Sequence, residues 1–299
     1  MTAASMPISL RQPWALLRMK PDVIHVQSPY PLGEISAAFL KPLIPLVVSY
    51  QSDVVRQRGW LRLYGPFLRT VLRKADRILV SSPRYLDSSP WLQPVREKCV
   101  VVPLGVDTRR FVPLEAPYTG CPTLLFVGRL RYYKGLDTLL RAMAALPESV
   151  VLRIVGTGEQ QAPLQALAKD LGILSRVEFI GDVADEDLPA EYHRASLFVL
   201  PANARAEAFG MVLLEAMASG LPCVTTEVGT GTSWVVQNGV TGRVAPARDP
   251  AAMAQAIAGI LANPAMLHQM GQAARARVEA EFTQSLMVDR VMEVYLSLI

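Results

Sequence analysis

The chain has 299 residues, 51% of them hydrophobic, with a formal net charge of +4 and three cysteines. That composition supplies large apolar cores at a length suited to two domains, and it excludes disordered and disulfide-stapled chains. No apolar run reaches the roughly 18 residues of a membrane-spanning helix, and the start MTAASMPISLRQPW lacks the apolar middle of a secretory signal, so the expected location is the cytoplasm.

The charge is uneven: residues 1–115 hold 16 Lys and Arg against 8 Asp and Glu, while residues 116–299 hold 14 against 18. Cys99, Cys121 and Cys223 lie far apart without metal-ligand spacing and are expected to be buried or incidental thiols.

In chain order, the first half offers four strand-like runs, DVIHVQ (22–27), IPLVVSY (44–50), DRILVSS (76–82) and KCVVVPLG (98–105). Between the second and third, Arg56, Arg58, Arg62, Arg69, Arg73, Lys74 and Arg77 interleave with Trp60, Leu61, Leu63, Tyr64, Phe67 and Leu68. Two readings stand for residues 54–77: an amphipathic helix on an anionic membrane surface, or a solvated basic face whose apolar side lies in the core. Nucleic acid is not an expected partner, because no helix-turn-helix, RNA-binding or zinc signature accompanies the charge.

Residues 107–122 are rich in Pro and Thr, show no sustained period, and suggest an interdomain linker. Six further strands follow at 123–128, 150–155, 177–180, 197–200, 222–227 and 241–245, separated by helical patterns. This alternation predicts an α/β fold with doubly wound parallel sheets. Helical stretches at 250–261 and 265–281 and a last amphipathic segment, SLMVDRVMEVYLSLI, complete the chain.

In such sheets ligands bind outside the carboxyl ends of the strands, so the residues after each strand carry the chemistry. After the 123–128 strand, GRLRYYKGLDTLL places Arg129 and Lys134 before a helix N-terminus, a combination suited to a diphosphate. After the next, GTGEQ offers Gly156 and Gly158 for close backbone approach, a weak signal alone. The loop PANARAEAFG carries Glu207 and leads into a helix in which Glu215 falls in the second turn. Glu207 and the amides of Phe209, Gly210 and Met211 could serve sugar or phosphate oxygens, and Glu215 could accept from two ribose hydroxyls. The run Asp185-Glu186-Asp187 matches a D-x-D metal motif but opens a helical stretch, where acidic residues suit the helix N-terminus.

GRLRYYKG, GTGE, FIGDV, the E-x7-E pair Glu207 and Glu215, and EAMASGLPCV together resemble glycosyltransferase family 4, the retaining nucleotide-sugar transferases of the GT-B fold. KPDVIHVQSPYPLGE, SYQSDVVRQ, ADRILVSSPRYL and PLGVDTRRF extend the resemblance over the first half. It implies a GT-B molecule of two Rossmann-like domains, an acceptor-side domain at 1–112 and a nucleotide-sugar domain at 113–282. A helix at 283–299 would cross back to the first.

It implies further that Arg129, Lys134 and Glu207 act on the diphosphate and transferred sugar. Gly156, Gly158, Val183, Phe209, Gly210, Met211 and Glu215 would bind the donor, with the backbone at Asp182 and Val183 facing the base. Gln51 and Asp53 lie on the acceptor side. No metal or other cofactor is implied: the acceptor hydroxyl would attack from the face the diphosphate leaves. The partners are then a nucleotide sugar and a lipid-linked or polysaccharide acceptor, with peripheral contact at the inner membrane face.

Two features depart from the family pattern. Residues 1–20 lack the expected first strands and glycine-rich loop, so the first domain is expected to be truncated. Gln27 and Gln51 stand where relatives commonly carry His, and glutamine cannot titrate. Of the histidines present, His25 is expected to be structural, and His193 and His268 do not restore the pattern. The leading expectation is a hexosyltransferase using GDP-mannose or a UDP-sugar; the alternatives are a non-catalytic remnant that binds nucleotide sugar and, less compatible with the motifs, an oxidoreductase or epimerase.

Overall fold

The computed structural model describes residues 2–3, 6–7, 18–40, 44–53, 58–114 and 120–299. It divides into two compact units, Met1–Pro103 with Met287–Ile299, and Leu104–Leu286.

In the first unit a short antiparallel pair, β1 (Thr2–Ala3) and β2 (Met6–Pro7), precedes a parallel sheet. The sheet elements are β3 (Ile24–Ser28), α1 (Pro31–Leu40), β4 (Leu46–Tyr50), α2 (Arg58–Lys74), β5 (Arg77–Val80), α3 (Pro83–Ser88) and β6 (Cys99–Val101). The four strands lie in the order β3-β4-β5-β6, all parallel. Every residue of β4 is buried, as expected of an inner parallel strand covered on both faces. Helix α3 starts where Ser82 accepts from the Tyr85 amide at 3.1 Å and Pro83 takes the first turn.

From Tyr64 onward, α2 buries Leu68, Val71 and Leu72 and exposes Arg69, Arg73 and Lys74. Burial of each such aliphatic side chain is worth about 1.5–3 kcal/mol relative to exposure, which commits that face to the core rather than to lipid. The described part of the basic region is thus a solvated cationic face; Arg56, included in the membrane reading, lies outside the described residues.

The second unit runs β7 (Thr123–Val127), α4 (Leu136–Met143), β8 (Val151–Val155), α5 (Gln161–Asp170), β9 (Val177–Gly181), α6 (Leu188–His193), β10 (Leu197–Leu200), α7 (Met211–Ala218), β11 (Cys223–Glu227), α8 (Thr232–Val235) and β12 (Gly242–Pro246). Helices α9 (Pro250–Leu261) and α10 (Pro264–Glu281) follow, each begun by a side-chain cap (Asp249 on the Ala252 amide at 2.9 Å, Asn263 on the Met266 amide at 3.0 Å) and a proline. The six-stranded parallel sheet has the order β12-β11-β10-β7-β8-β9. Strand addition proceeds one way from β7 to β9 and the other way from β10 to β12, so the reversal lies between β7 and β10. An apolar core that includes Leu124, Phe126, Leu152, Ile154, Phe198 and Leu214 fills the layers on either face.

The boundary falls between Pro103 and Leu104 rather than at 112/113. The expected linker begins inside the second unit: the Val106 amide donates to the Phe282 carbonyl at 2.8 Å, and Phe111, 3% exposed, stands edge-on to Tyr192. The last helix, α11 (Gln284–Leu296), contributes residues from Met287 onward to the first unit. There Val294 packs with Val47, Leu79 and Val102, and the Tyr295 hydroxyl meets His25 Nδ1 at 2.5 Å. His25 Nε2 also meets Ser49 Oγ at 2.7 Å, and burial lowers its pKa, the expected structural role. Among the described residues no single helix is long and apolar enough to cross a membrane.

Candidate active site

At a reversal of strand order, neighbouring crossovers leave for opposite faces of the sheet and a crevice opens between the loops. In the second unit that crevice lies between the loop after β7 (128–135) and the loop after β10 (201–210). The loops are tied at their bases: the Asn203 amide donates to the Tyr133 carbonyl at 2.9 Å and its side-chain Nδ2 to the Tyr132 carbonyl at 3.0 Å. Gly135, with φ of +72°, begins α4; a β-carbon there would lie 2.0 Å from the Pro201 carbonyl oxygen.

Lys134 and Glu207 meet across this crevice, with Nζ 2.6 Å from Oε2 and side chains only 12% and 10% exposed. The sequence reading gave them separate tasks, diphosphate and sugar; the structure makes them one nearly buried ion pair. Arg129 is exposed, and its side chain makes no hydrogen bond or ion pair among the described residues.

Behind Glu207, the Thr230 hydroxyl donates to the Glu207 carbonyl at 2.7 Å and the Gly231 amide to that of Ala208 at 2.9 Å. Arg205 donates to the Gly229 carbonyl at 2.7 Å. These bonds fix the loop against the turn after β11. Phe209, 3% exposed, anchors it by packing against Trp234 and Phe282. Gly210, with φ of +85°, begins α7, and the amides of Phe209, Gly210 and Met211 find no acceptor among the described residues. Three adjacent unengaged donors at the start of an eight-residue helix present a positive end to any oxygen-rich ligand.

Glu215, half-buried in the second turn of α7, accepts from the Tyr192 hydroxyl at 2.7 Å on Oε2. Burial raises its pKa, and the Tyr192 hydrogen bond partly offsets the rise. Tyr192, fully buried, orients the carboxylate. A lone tyrosine on this short helix gives no sequence signal beyond core packing.

Gly156 and Gly158 meet a close neighbour within the protein itself. A β-carbon at Gly156 would lie 2.3 Å from the Gly128 carbonyl oxygen, and one at Gly158 2.5 Å from that of Leu130. The close backbone approach they permit is therefore between the loops after β8 and β7. Val183 packs inward against the core, and the neighbouring Asp182 carboxylate accepts from the Thr157 hydroxyl at 2.9 Å. Asp185, Glu186 and Asp187 form a 3-10 turn leading into α6, the helix-start position anticipated for them.

In the first unit, Gln51 donates through Nε2 to Gln27 Oε1 at 2.7 Å, so the two glutamines in histidine positions bond to each other. Asp53 accepts on Oδ1 from Tyr50 at 2.9 Å and from Ser89 at 2.8 Å.

At the reversal of a parallel sheet, a nearly buried Lys–Glu pair, helix-start amides without acceptors among the described residues and an oriented carboxylate form a grouping chemically suited to an anionic, hydroxyl-rich ligand. Residues 110–277 match the family model described as "Glycosyl transferases group 1", and residues 2–105 match "Glycosyl transferase 4-like domain". The chain is similar to the D-rhamnosyltransferase WbpZ of Pseudomonas aeruginosa, 39% identical over 89% of this chain and 71% of that one. It is also similar to the O-antigen chain mannosyltransferase C of Escherichia coli, 35% identical over 99% of this chain and 81% of the relative. Among solved structures it resembles sucrose-phosphate synthase from Thermosynechococcus elongatus, with a TM-score of 0.81 and 27% identity over 95% of this chain and 76% of that one. The chain belongs to the family 4 type of GT-B glycosyltransferases, and it is an enzyme of glycosyl transfer.

Proposed function

We propose that the protein moves a manno-configured hexosyl group from a nucleoside diphosphate to a growing, lipid-linked glycan, with retention at the anomeric carbon and no metal. The observation that supports the donor half is the grouping at the strand-order reversal of the second unit: the Lys134–Glu207 pair, the unengaged Phe209–Met211 amides, and Glu215, close enough to Lys134 to feel its charge. The sugar and the glycan acceptor follow the names of the two relatives, a D-rhamnosyltransferase and an O-antigen chain mannosyltransferase; that the acceptor is lipid-linked is the expectation from the family resemblance.

In this reading Arg129 and Lys134 face the diphosphate. They stabilise the charge that grows on it as the glycosidic bond loosens, worth ~2–4 kcal/mol each by comparison with other transition-state donors. Glu207 already gives Oε2 to Lys134, and its Oε1 accepts from a sugar hydroxyl, so the sugar and the phosphate are placed by two halves of one ion pair. The Phe209–Met211 amides donate to sugar or phosphate oxygens. The Glu215 oxygen not held by Tyr192 accepts from the ribose. The leaving diphosphate takes the proton of the attacking acceptor hydroxyl, which requires no titrating group at Gln51. The site is in the cytoplasm, with the exposed basic face of α2 available for peripheral contact with anionic lipid.

The test is calorimetry with nucleoside diphosphates and their mannose adducts, followed by transfer to a lipid-linked acceptor. Binding together with transfer supports the reading. Tight donor binding without transfer favours the non-catalytic alternative. Absence of nucleotide binding overturns both.

A further inference from the structure

The turn at Asp107–Arg110 places a second cation beside Glu215. The Arg110 and Phe111 amides donate to the Asp107 carbonyl, both at 3.2 Å. Arg275 of α10 clamps the turn from behind, donating to the carbonyls of Thr108 at 3.2 Å and Phe111 at 2.7 Å. Phe111 is buried with its ring 5.6 Å from that of Tyr192, whose hydroxyl holds Glu215 at 2.7 Å. The Arg110 guanidinium lies 5.0 Å from the centre of the Phe111 ring and donates to the Asp185 main-chain carbonyl in the loop after β9.

A connected series of contacts, Asp185, Arg110, Phe111, Tyr192 and Glu215, thereby spans the interval from the loop after β9 to the carboxylate of α7. Arg110 is exposed, and its other N–H groups have no partner among the described residues. Arg110 therefore stands near the carboxylate proposed to hold the ribose, between it and the loop after β9, so that on the proposed reading the base of a bound nucleoside comes within its reach.

A guanidinium offers paired, coplanar donors and therefore suits two adjacent acceptors on one edge. Guanine presents such an edge in O6 and N7, whereas adenine sets an amino donor beside N7. Uracil offers O4 flanked by a C–H and an N–H. We infer that Arg110 recognises the O6/N7 edge of guanine and so selects a guanosine diphosphate donor. The inference rests on the second unit being the donor site and on Glu215 holding the ribose.

Calorimetry at fixed ionic strength with GDP, 7-deaza-GDP, UDP and ADP tests it, on the wild type, Arg110→Ala and Arg110→Lys. The wild type is expected to prefer GDP, and Arg110→Ala to weaken GDP about tenfold or more while changing UDP and ADP little. Arg110→Lys keeps the charge but not the fork, and is expected to behave like the alanine variant. In 7-deaza-GDP a C–H replaces N7; it should bind the wild type more weakly than GDP does, and Arg110→Ala should no longer distinguish the two. Equal losses for all nucleotides, full rescue by lysine, or indifference to the 7-position in the wild type would each overturn the assignment while leaving the donor site standing. If no nucleotide binds the wild type, the donor-site reading fails and the inference fails with it.

Discussion

In the four-stranded sheet of the first unit each described strand is added on the same side of the last, giving β3-β4-β5-β6, whereas the sheet of the second unit reverses direction beside β7. The polar groups at the carboxyl ends of the strands differ accordingly. In the first unit some of them bond one another locally: Gln51 bonds Gln27, and Asp53 takes Tyr50 and Ser89, while the Ser28 and Ser81 hydroxyls are buried without a hydrogen-bond partner among the described residues. In the second unit the loops part at the reversal and hold Lys134 and Glu207 face to face in near-complete burial. Beside them the Phe209–Met211 amides are left without acceptors. One alternation of strands and helices thus places different strand-end groups in the two sheets: a glutamine pair in one, a nearly buried Lys–Glu pair in the other.

The sharpest way to break that contrast is Lys134→Ala, which leaves the Glu207 carboxylate buried without a partner. The expected cost to the second unit is ~3–5 kcal/mol in chemical denaturation, together with loss of nucleoside diphosphate binding. Removing an exposed cation of the first unit, as in Arg73→Ala, is expected to change stability by less than about 0.5 kcal/mol. Similar small effects from both would show that the crevice pair is not the buried unit described here.

Next in size, Glu215→Gln is expected to weaken nucleoside diphosphate binding by ~1–3 kcal/mol. Burial holds the Glu215 pKa above its ordinary value of 4.5, so wild-type affinity should fall through a midpoint above that value as the pH is lowered. The glutamine variant should lack this limb, and identical pH profiles would remove the ribose role. The linked stability term has a definite sign: the folded state binds this proton more tightly than the unfolded one, so its contribution is present at low pH and is lost as pH rises through the folded pKa.

A smaller effect belongs to the basic face of α2. Sedimentation with anionic liposomes should show weak binding that declines with salt, and each of Arg69, Arg73 and Lys74 changed to Gln should remove up to about 1 kcal/mol. Salt-independent or absent binding would leave the face merely solvated.

The smallest expected effect is at His25, where burial lowers the pKa from 6.5. Here the unfolded state binds the proton more readily, so the contribution is full above pH 6.5 and is lost as pH falls through the folded value, opposite in direction to Glu215. The difference in Tm between wild type and His25→Gln across pH 5 to 8 reads it directly; a flat difference would show that His25 titrates alike in both states.

Much of this was legible from the chain alone. The strand runs stand out because inner parallel strands are continuous apolar segments, and the position of each loop follows from where its strand ends; this located Lys134, Glu207 and Glu215. Three things were not legible. Arg110 lay in a stretch rich in Pro and Thr, whose attachment to the second unit depends on Phe111 meeting Tyr192, a contact 81 residues away in sequence. Tyr192 looks like core because it is core; only its hydroxyl reveals that it also aims a carboxylate. Gly156 and Gly158 announced that something must come close, but the sequence could not say that the neighbour is the main chain at Gly128 and Leu130.

The Lys134–Glu207 pair also bears on how such a site lets go. On the proposed reading, an arriving diphosphate meets an ammonium that already has a counter-ion 2.6 Å away, so it gains only the difference between two anions rather than the full attraction of a bare cation. The same resident carboxylate stands ready to take back the ammonium as the spent nucleotide departs, which keeps the cation from being stranded out of water. On the proposed reading, a site built this way holds its product loosely and empties quickly, a property as useful to repeated chain extension as the capture of the donor itself.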